Sequence, residues 1–150
     1  MKKFKFTFNS ILTFRKTLEE GTLRKLGEAQ NAFQLQIARK KELENVLNSA
    51  LDRRQNLGID PIGVFAFQLE QNFIVGTKQR IIQSEAAIVR ANRGVEKALR
   101  SYLMAKRETR KLELLYEKQF TLYKKERSRR EQLDQDDLSV MRNRLKEEHV

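Results

Sequence analysis

The sequence predicts an all-α protein, a long antiparallel two-helix coiled coil (a helical hairpin) in which the second helix overhangs the first. Three observations carry that expectation. Apolar residues recur three and four apart over long stretches, which is the period of one helix face. Helix breakers are scarce, with one Pro and six Gly in 150 residues. The single proline, Pro61, stands between Gly58 and Gly63, so the chain has one marked turn.

The first helix is expected over about residues 9–56, with Asn9 or Ser10 capping it by accepting a backbone N–H of the first turn. Its seam reads Leu26, Ala29, Phe33, Gln36, Lys40, Leu43, Leu47, Ala50, Arg54 and Leu57, a heptad pattern weakened by three polar members. Ile11, Phe14 and Leu18 fit a shifted register, and a skip or local unwinding is expected between Gly21 and Leu26.

A turn follows over about residues 57–63, where Gly58 can take the left-handed conformation that ends a helix and Pro61 disfavours α geometry at Asp60. The second helix, about 64–146, carries the cleaner seam: Ile74, Thr77, Ile81, Ser84, Ile88, Ala91, Val95, Ala98, Tyr102, Ala105, Thr109, Leu112, Tyr116, Gln119 and Tyr123. One column of that seam is small from Thr77 to Ala105, so a partner helix can approach closely there.

Folding about Asp60 sets Phe33 near Ile88 and Leu47 near Ile74 and uses up the first helix near Leu112. The remainder of the second helix is then left without an intramolecular partner. Residues 1–150 read as one hairpin domain, with no internal repeat or linker composition that would mark a second one.

The chain lacks the usual reagents of catalysis. It has no cysteine, so thiolate nucleophiles and Cys-ligated metals are excluded, and its one histidine is His149. The carboxylates stand beside Lys or Arg at helical spacing, where i,i+4 pairing accounts for them. No enzyme activity, cofactor, metal or small-molecule ligand is expected. No apolar run approaches the roughly 20 residues that span a bilayer, and the basic start lacks the apolar core of a signal peptide.

Charge is the strongest compositional signal, at +11 overall. Lys2, Lys3, Lys5, Arg15 and Lys16 meet no acid in residues 1–16, and a second excess of bases covers residues 106–130. The hairpin brings these two stretches to one end. The following residues turn acidic through Glu131, Asp134, Asp136, Asp137, Glu147 and Glu148. A basic end calls for an acidic partner, which leaves a protein, a nucleic acid and a plainly solvated helical face as readings of charge alone.

Two apolar clusters exceed what one seam hides. Phe4, Phe6 and Phe8 alternate with polar residues, an extended pattern able to pack on the second helix near residues 112–116 or to meet a partner. Near the turn, Phe65, Phe67, Leu69 and Phe73 either cap the hairpin or form a second docking surface.

Residues at both ends resemble the flagellar export protein FliJ family. Lys5-Phe6-Thr7-Phe8, followed by Leu12, Arg15, Lys16 and Glu19, is similar to that family's start. The run Arg110-Lys111-Leu112-Glu113-Leu114-Leu115-Tyr116-Glu117-Lys118, then Tyr123, Glu126 and Glu131-Gln132-Leu133-Asp134, resembles its C-terminal signature. Gln135 departs from the pattern, where many relatives carry Glu.

The resemblance implies a cytoplasmic, non-catalytic coiled coil, associated peripherally with the membrane at the flagellar base. It implies a stalk inserted in the flagellar export ATPase hexamer, with the export gate membrane protein and export chaperones as further partners. The ring contact is then expected to use Lys3, Phe4, Lys5, Phe6 and Phe8 from the start. From the second helix it would use Arg110, Lys111, Leu112, Leu115, Tyr116, Lys118, Tyr123, Lys124 and Arg127. The gate contact is assigned to Phe65, Phe67, Leu69 and Phe73.

Two rival readings stay open on the residues themselves. A basic coiled coil that binds nucleic acid or ribosomes would use the Lys and Arg clusters on phosphates. A self-associating coil would instead use Leu112, Tyr116 and Tyr123 as an exposed seam.

Overall fold

Long uninterrupted heptads, with no proline inside either stretch, leave the backbone no cheaper way to satisfy its N–H and C=O groups than continuous helix. The computed structural model describes residues 3–58 and 61–147, with side chains to residue 144. Lys2, Asp60, Glu148 and His149 fall outside the described residues. Helix α1 spans Asn9–Gln55 and α2 spans Pro61–Glu147, and the described residues contain no strand. Two long helices packed against each other make the all-α helical hairpin expected from the period.

The ends of the helices differ in detail from the sequence expectations. The first intrahelical bond of α1 runs from the Leu12 N–H to the Phe8 carbonyl at 2.9 Å, so Phe8 holds the cap position rather than Asn9 or Ser10. A preceding turn, Asn9 N–H to the Phe6 carbonyl at 3.3 Å, sets how the chain enters the helix.

At its other end α1 tightens into three-residue turns, with Asn56 N–H on the Arg53 carbonyl and Leu57 N–H on the Arg54 carbonyl. Gly58 has no positive φ, so the expected left-handed stop is absent. Pro61 does not sit in a loop but opens α2, where its fixed φ suits the first turn and its missing N–H would have had no partner.

The described residues group into two compact units, one made of residues 3–19 with 105–147 and the other of Glu20–Met104. In the Glu20–Met104 unit the seam is the one the heptads mark. Leu26, Ala50, Ile74, Thr77 and Ser84 are buried, and the intervening seam positions are half-buried. Lys40 and Arg54 on the seam, and Arg53 beside it, find partners on α2. Lys40 reaches Glu85 at 3.0 Å and Glu44 at 3.6 Å, Arg53 pairs with Glu70 at 2.8 Å, and Arg54 donates to Gln71 at 2.7 Å.

Those pairs also correct the folding axis. Their numbers sum to 123–125, which centres the antiparallel pairing near Ile62 rather than Asp60. The end of α1 therefore lies level with Leu69 and Glu70, and the opening turns of α2 run past it. That accounts for the exposure of Ile62 and Phe65.

In the other unit the buried residues are Phe6, Leu12, Ala105 and Thr109, and the Thr109 hydroxyl donates across the helices to the Arg15 carbonyl at 3.2 Å. Ile11, Phe14 and Leu18 are exposed, which overturns their assignment to a shifted seam. The seam of α1 instead runs Leu12, Arg15, Glu19, Thr22, Leu26 in one unbroken register, half-buried at its polar members. No skip is needed and α1 stays continuous through Gly21.

The seam supplies most of the burial, so its loss should be felt far more than loss of apolar surface elsewhere. Ile74 is 1% exposed and Ile82, one turn pair along, is 64% exposed. Ile74→Ala should cost about 2–5 kcal/mol in a denaturant melt, while Ile82→Ala should stay within about 0.5 kcal/mol.

Candidate functional site

Residues 3–8 lie against α2 and form the most elaborate side-chain cluster of the unit that contains them. Phe4 packs on Tyr116, Phe120 and Tyr123 with ring centroids 5.6, 5.3 and 5.4 Å apart, and Phe6 meets Tyr116 at 5.2 Å and Phe8 at 5.9 Å. Edge-on and tilted geometries dominate, the arrangement that aromatic quadrupoles favour. Of the two readings of these phenylalanines, packing on α2 is the one realised, and it reaches past residue 116 to Tyr123.

This clasp redistributes the residues expected to meet a ring. Phe6 is 6% exposed and Phe4 half-buried, so they shape the surface from beneath, and Leu112, Leu115, Tyr116 and Tyr123 are half-buried with them. Phe8 remains exposed. The charged members stand outside: Lys3, Lys5, Arg110, Lys111, Lys118, Lys124 and Arg127 are all exposed.

The covered seam also corrects two expectations at once. Leu112, Tyr116 and Tyr123 are not an open self-association seam: all three are half-buried, and Phe4 and Phe6 pack on the two tyrosines. The overhang therefore begins near Lys124 rather than Leu112, and residues 124–144 are exposed throughout.

Local ion pairs order parts of this basic surface. Arg110 bridges Glu113 and Glu117 at 3.5 and 3.2 Å, Lys111 donates to Glu108 at 2.7 Å, and Lys16 reaches across to Glu113 at 3.6 Å. Arg127 pairs with Glu131 at 2.7 Å, Arg130 with Glu126, and the Lys124 ammonium sits 4.6 Å from the Phe120 ring centre. Each has at least one exposed partner, so each contributes little to stability.

The hydrogen bond from Lys111 holds the Glu108 carboxyl below its ordinary range, and the Glu131 hydrogen bond raises Arg127. Because the shift at Glu108 is downward, its contribution is present above the ordinary carboxylate range and is lost as pH falls through the lowered pKa. The hydrogen bond to Glu85 raises Lys40, whose contribution is instead lost as pH rises through the raised pKa.

The second cluster lies where α2 begins. Phe65 and Leu69 are exposed without cover, whereas Phe67 and Phe73 are each flanked by an α1 arginine, Arg54 at 5.7 Å and Arg53 at 5.9 Å from the ring centres. The chelate of Arg53 on Glu70, at 2.8 and 3.3 Å, fixes this end of α1 against α2. Capping of the hairpin and display of apolar surface are thus both present, divided between the two pairs of residues. Sequence reading missed the role of the two arginines, because a base at a helix end gives no sign of which ring it will cover.

Among the described residues no group of three or more His, Cys, Asp or Glu is placed to hold a metal. Nor is any described helix long and apolar enough to cross a membrane.

The clasp makes a testable claim about the start of the chain. Phe6→Ala should release residues 3–8, so that trypsin cleaves after Lys5 roughly tenfold faster or more, while the melting of the Ile74 seam is little changed.

Comparison with known proteins places this geometry. A family model described as "Flagellar FliJ protein" matches residues 4–148. Among solved structures, that of a YscO homologue from Chlamydia trachomatis superposes with a TM-score of 0.68 at 13% identity, covering 97% of this chain and 99% of that one. At that identity the likeness concerns the fold. No curated protein matches the chain in a sequence comparison.

Proposed function

The chain belongs to the flagellar FliJ protein family, and from that premise we propose that it is a non-catalytic stalk that engages the flagellar export ATPase hexamer through its clasped basic end. Membership makes it a component of flagellar protein export. The observation that supports the stalk reading is the pairing of a buttressed helix with a free one. Phe4 and Phe6 stiffen α2 up to Tyr123, and beyond it one exposed helix carries Lys124, Lys125, Arg127, Arg129 and Arg130.

A single helix is about 10–12 Å across, narrower than the hairpin it extends. Exposed bases on it would steer it into an acidic or polar lining, with Lys3, Lys5, Arg110, Lys111 and Lys118 at the mouth. Leu112, Leu115, Tyr116 and Tyr123 would act by holding the clasp.

At the start of α2, Phe65 and Leu69, with Phe67 and Phe73 behind their arginines, form the surface we assign to the membrane export gate protein. A single chain with separate surfaces for ATPase and gate would couple the two, and export chaperones would be escorted on the same component. Peripheral association with the membrane at the flagellar base would follow from the gate contact.

Two measurements test these assignments separately. The cognate export ATPase should hydrolyse ATP faster and form more hexamer with this protein. Lys118→Glu, Lys124→Glu and Arg127→Glu together should reduce the stimulation about tenfold or more, since each reversed contact in a desolvated ring costs on the order of 1 kcal/mol. No stimulation by the intact chain at any salt concentration would overturn the stalk. In a pull-down with the gate protein, alanine at Phe65, Phe67, Leu69 and Phe73 should abolish capture while leaving ATPase stimulation in place. Undiminished capture would remove the gate assignment.

A further inference from the structure

The exposed tail of α2 has a charge pattern that its own helix uses only in the pairs Arg127–Glu131 and Arg130–Glu126. Residues 124–130 hold Lys124, Lys125, Arg127, Arg129 and Arg130 against Glu126, a net +4. The next seven residues hold Glu131, Asp134, Asp136 and Asp137 and no base, a net −4. Two blocks of equal length and opposite charge abut between Arg130 and Glu131.

Apolar residues flank them on both sides. Leu122 precedes the basic block, Val140 follows the acidic block, and Leu133 lies between; all three are exposed. At about 100° per residue Leu122, Arg129, Leu133 and Val140 fall within about 40° of one line along the helix, with Asp136 beside it. This face is a stripe of apolar and charged groups with nothing from the same chain upon it: residues 124–144 are exposed throughout.

We infer that this tail pairs antiparallel with the same tail of a second copy of the chain, about a twofold axis passing close to Arg130 and Glu131. Reflection about that point lays each basic block on an acidic block and brings Leu122 of one copy against Val140 of the other. Lys125 of each copy comes level with Asp136 of the other, both beside the stripe, and Arg129 lies about one helical turn from the same carboxylate. A twofold interface makes every such contact twice. The parallel arrangement would lay +4 on +4, so charge selects the direction as well as the partner.

Within the chain, Arg127 and Arg130 are engaged only by the exposed, weak pairs with Glu131 and Glu126. Pairing costs little there and adds cross-chain partners for Lys125, Arg129 and Asp136. Under the stalk reading, and only there, pairing would cover the bases offered to the ring, so self-association would hold the protein in reserve.

Sedimentation velocity on the full chain tests the pairing without any ATPase. The protein should dimerise at about 0.05 M salt, and its dimer dissociation constant should weaken roughly tenfold or more by about 0.5 M, where the Debye length is a few ångströms. A variant with Asp134→Lys, Asp136→Lys and Asp137→Lys has a net positive charge in both blocks and should be monomeric. So should one with Lys124→Glu, Lys125→Glu, Arg127→Glu, Arg129→Glu and Arg130→Glu. Mixed in equal amounts, these two should form a heterodimer.

A wild-type chain that stays monomeric to about 0.1 mM at low salt overturns the inference and returns the tail to an unlike partner. A dimer that survives the charge changes, or variants that fail to pair when mixed, overturn it equally. Far-UV circular dichroism on each variant separates lost pairing from lost helix.

Discussion

A pair of helices has only one interface, and that limit governs everything else in this protein. Each helix can hide about two positions in seven, fewer than the 39% of hydrophobic residues in the chain, so part of its apolar side chains must stay in water. Ile74 and Ala50 are buried because they sit on the seam, and Phe14, Ile82 and Met141 are exposed because they do not, although none differs in character from a core residue. Stability lives on a narrow line, and the rest of the surface is free to serve contacts.

The clasp at residues 3–8 follows from the same limit. Beyond the start of α1 the second helix would have no cover, and Phe4 and Phe6 on the segment before it supply that cover without another helix. Alternation lets Phe4 and Phe6 both face α2 while Lys3 and Lys5 stay in water, so one short segment closes the seam and displays charge together. Buried aromatics and solvated bases are therefore two faces of one device, and they separate into groups that hold the surface and groups that present it.

What was legible in the sequence was what periodicity encodes. Every seam residue read from Leu26 to Leu57 and from Ile74 to Tyr123 is buried or half-buried, because a heptad repeat has only one geometric consequence. The failures came where local chemistry misleads. Ile11, Phe14 and Leu18 are more apolar than Arg15, Glu19 and Thr22, yet the latter line the seam, since the register set by Leu12 and Leu26 outweighs individual hydrophobicity. Gly58 permits a left-handed stop but does not require one, and α1 ends by tightening its last turn. The level at which the helices pair depends on how the turn is crossed, which no residue pattern records. Lys40 and Arg54 read as defects in isolation and are partnered once Glu85 and Gln71 face them.

Charge obeys a different logic from the seam, because it acts over a Debye length of about 10 Å and needs no register to be felt. Along residues 3–19 and 106–130 the excess is one sign, which suits attraction of an acidic surface. Along residues 124–137 it changes sign midway, and a helix that only needed to attract would have no use for the acidic half. An abrupt reversal in a fully exposed helix weakens its net field while strengthening its preference for a particular orientation of whatever lies beside it. In a molecule whose interior is one line of side chains, specificity of this kind must be written on the outside, and the sign change between Arg130 and Glu131 is where this chain writes it.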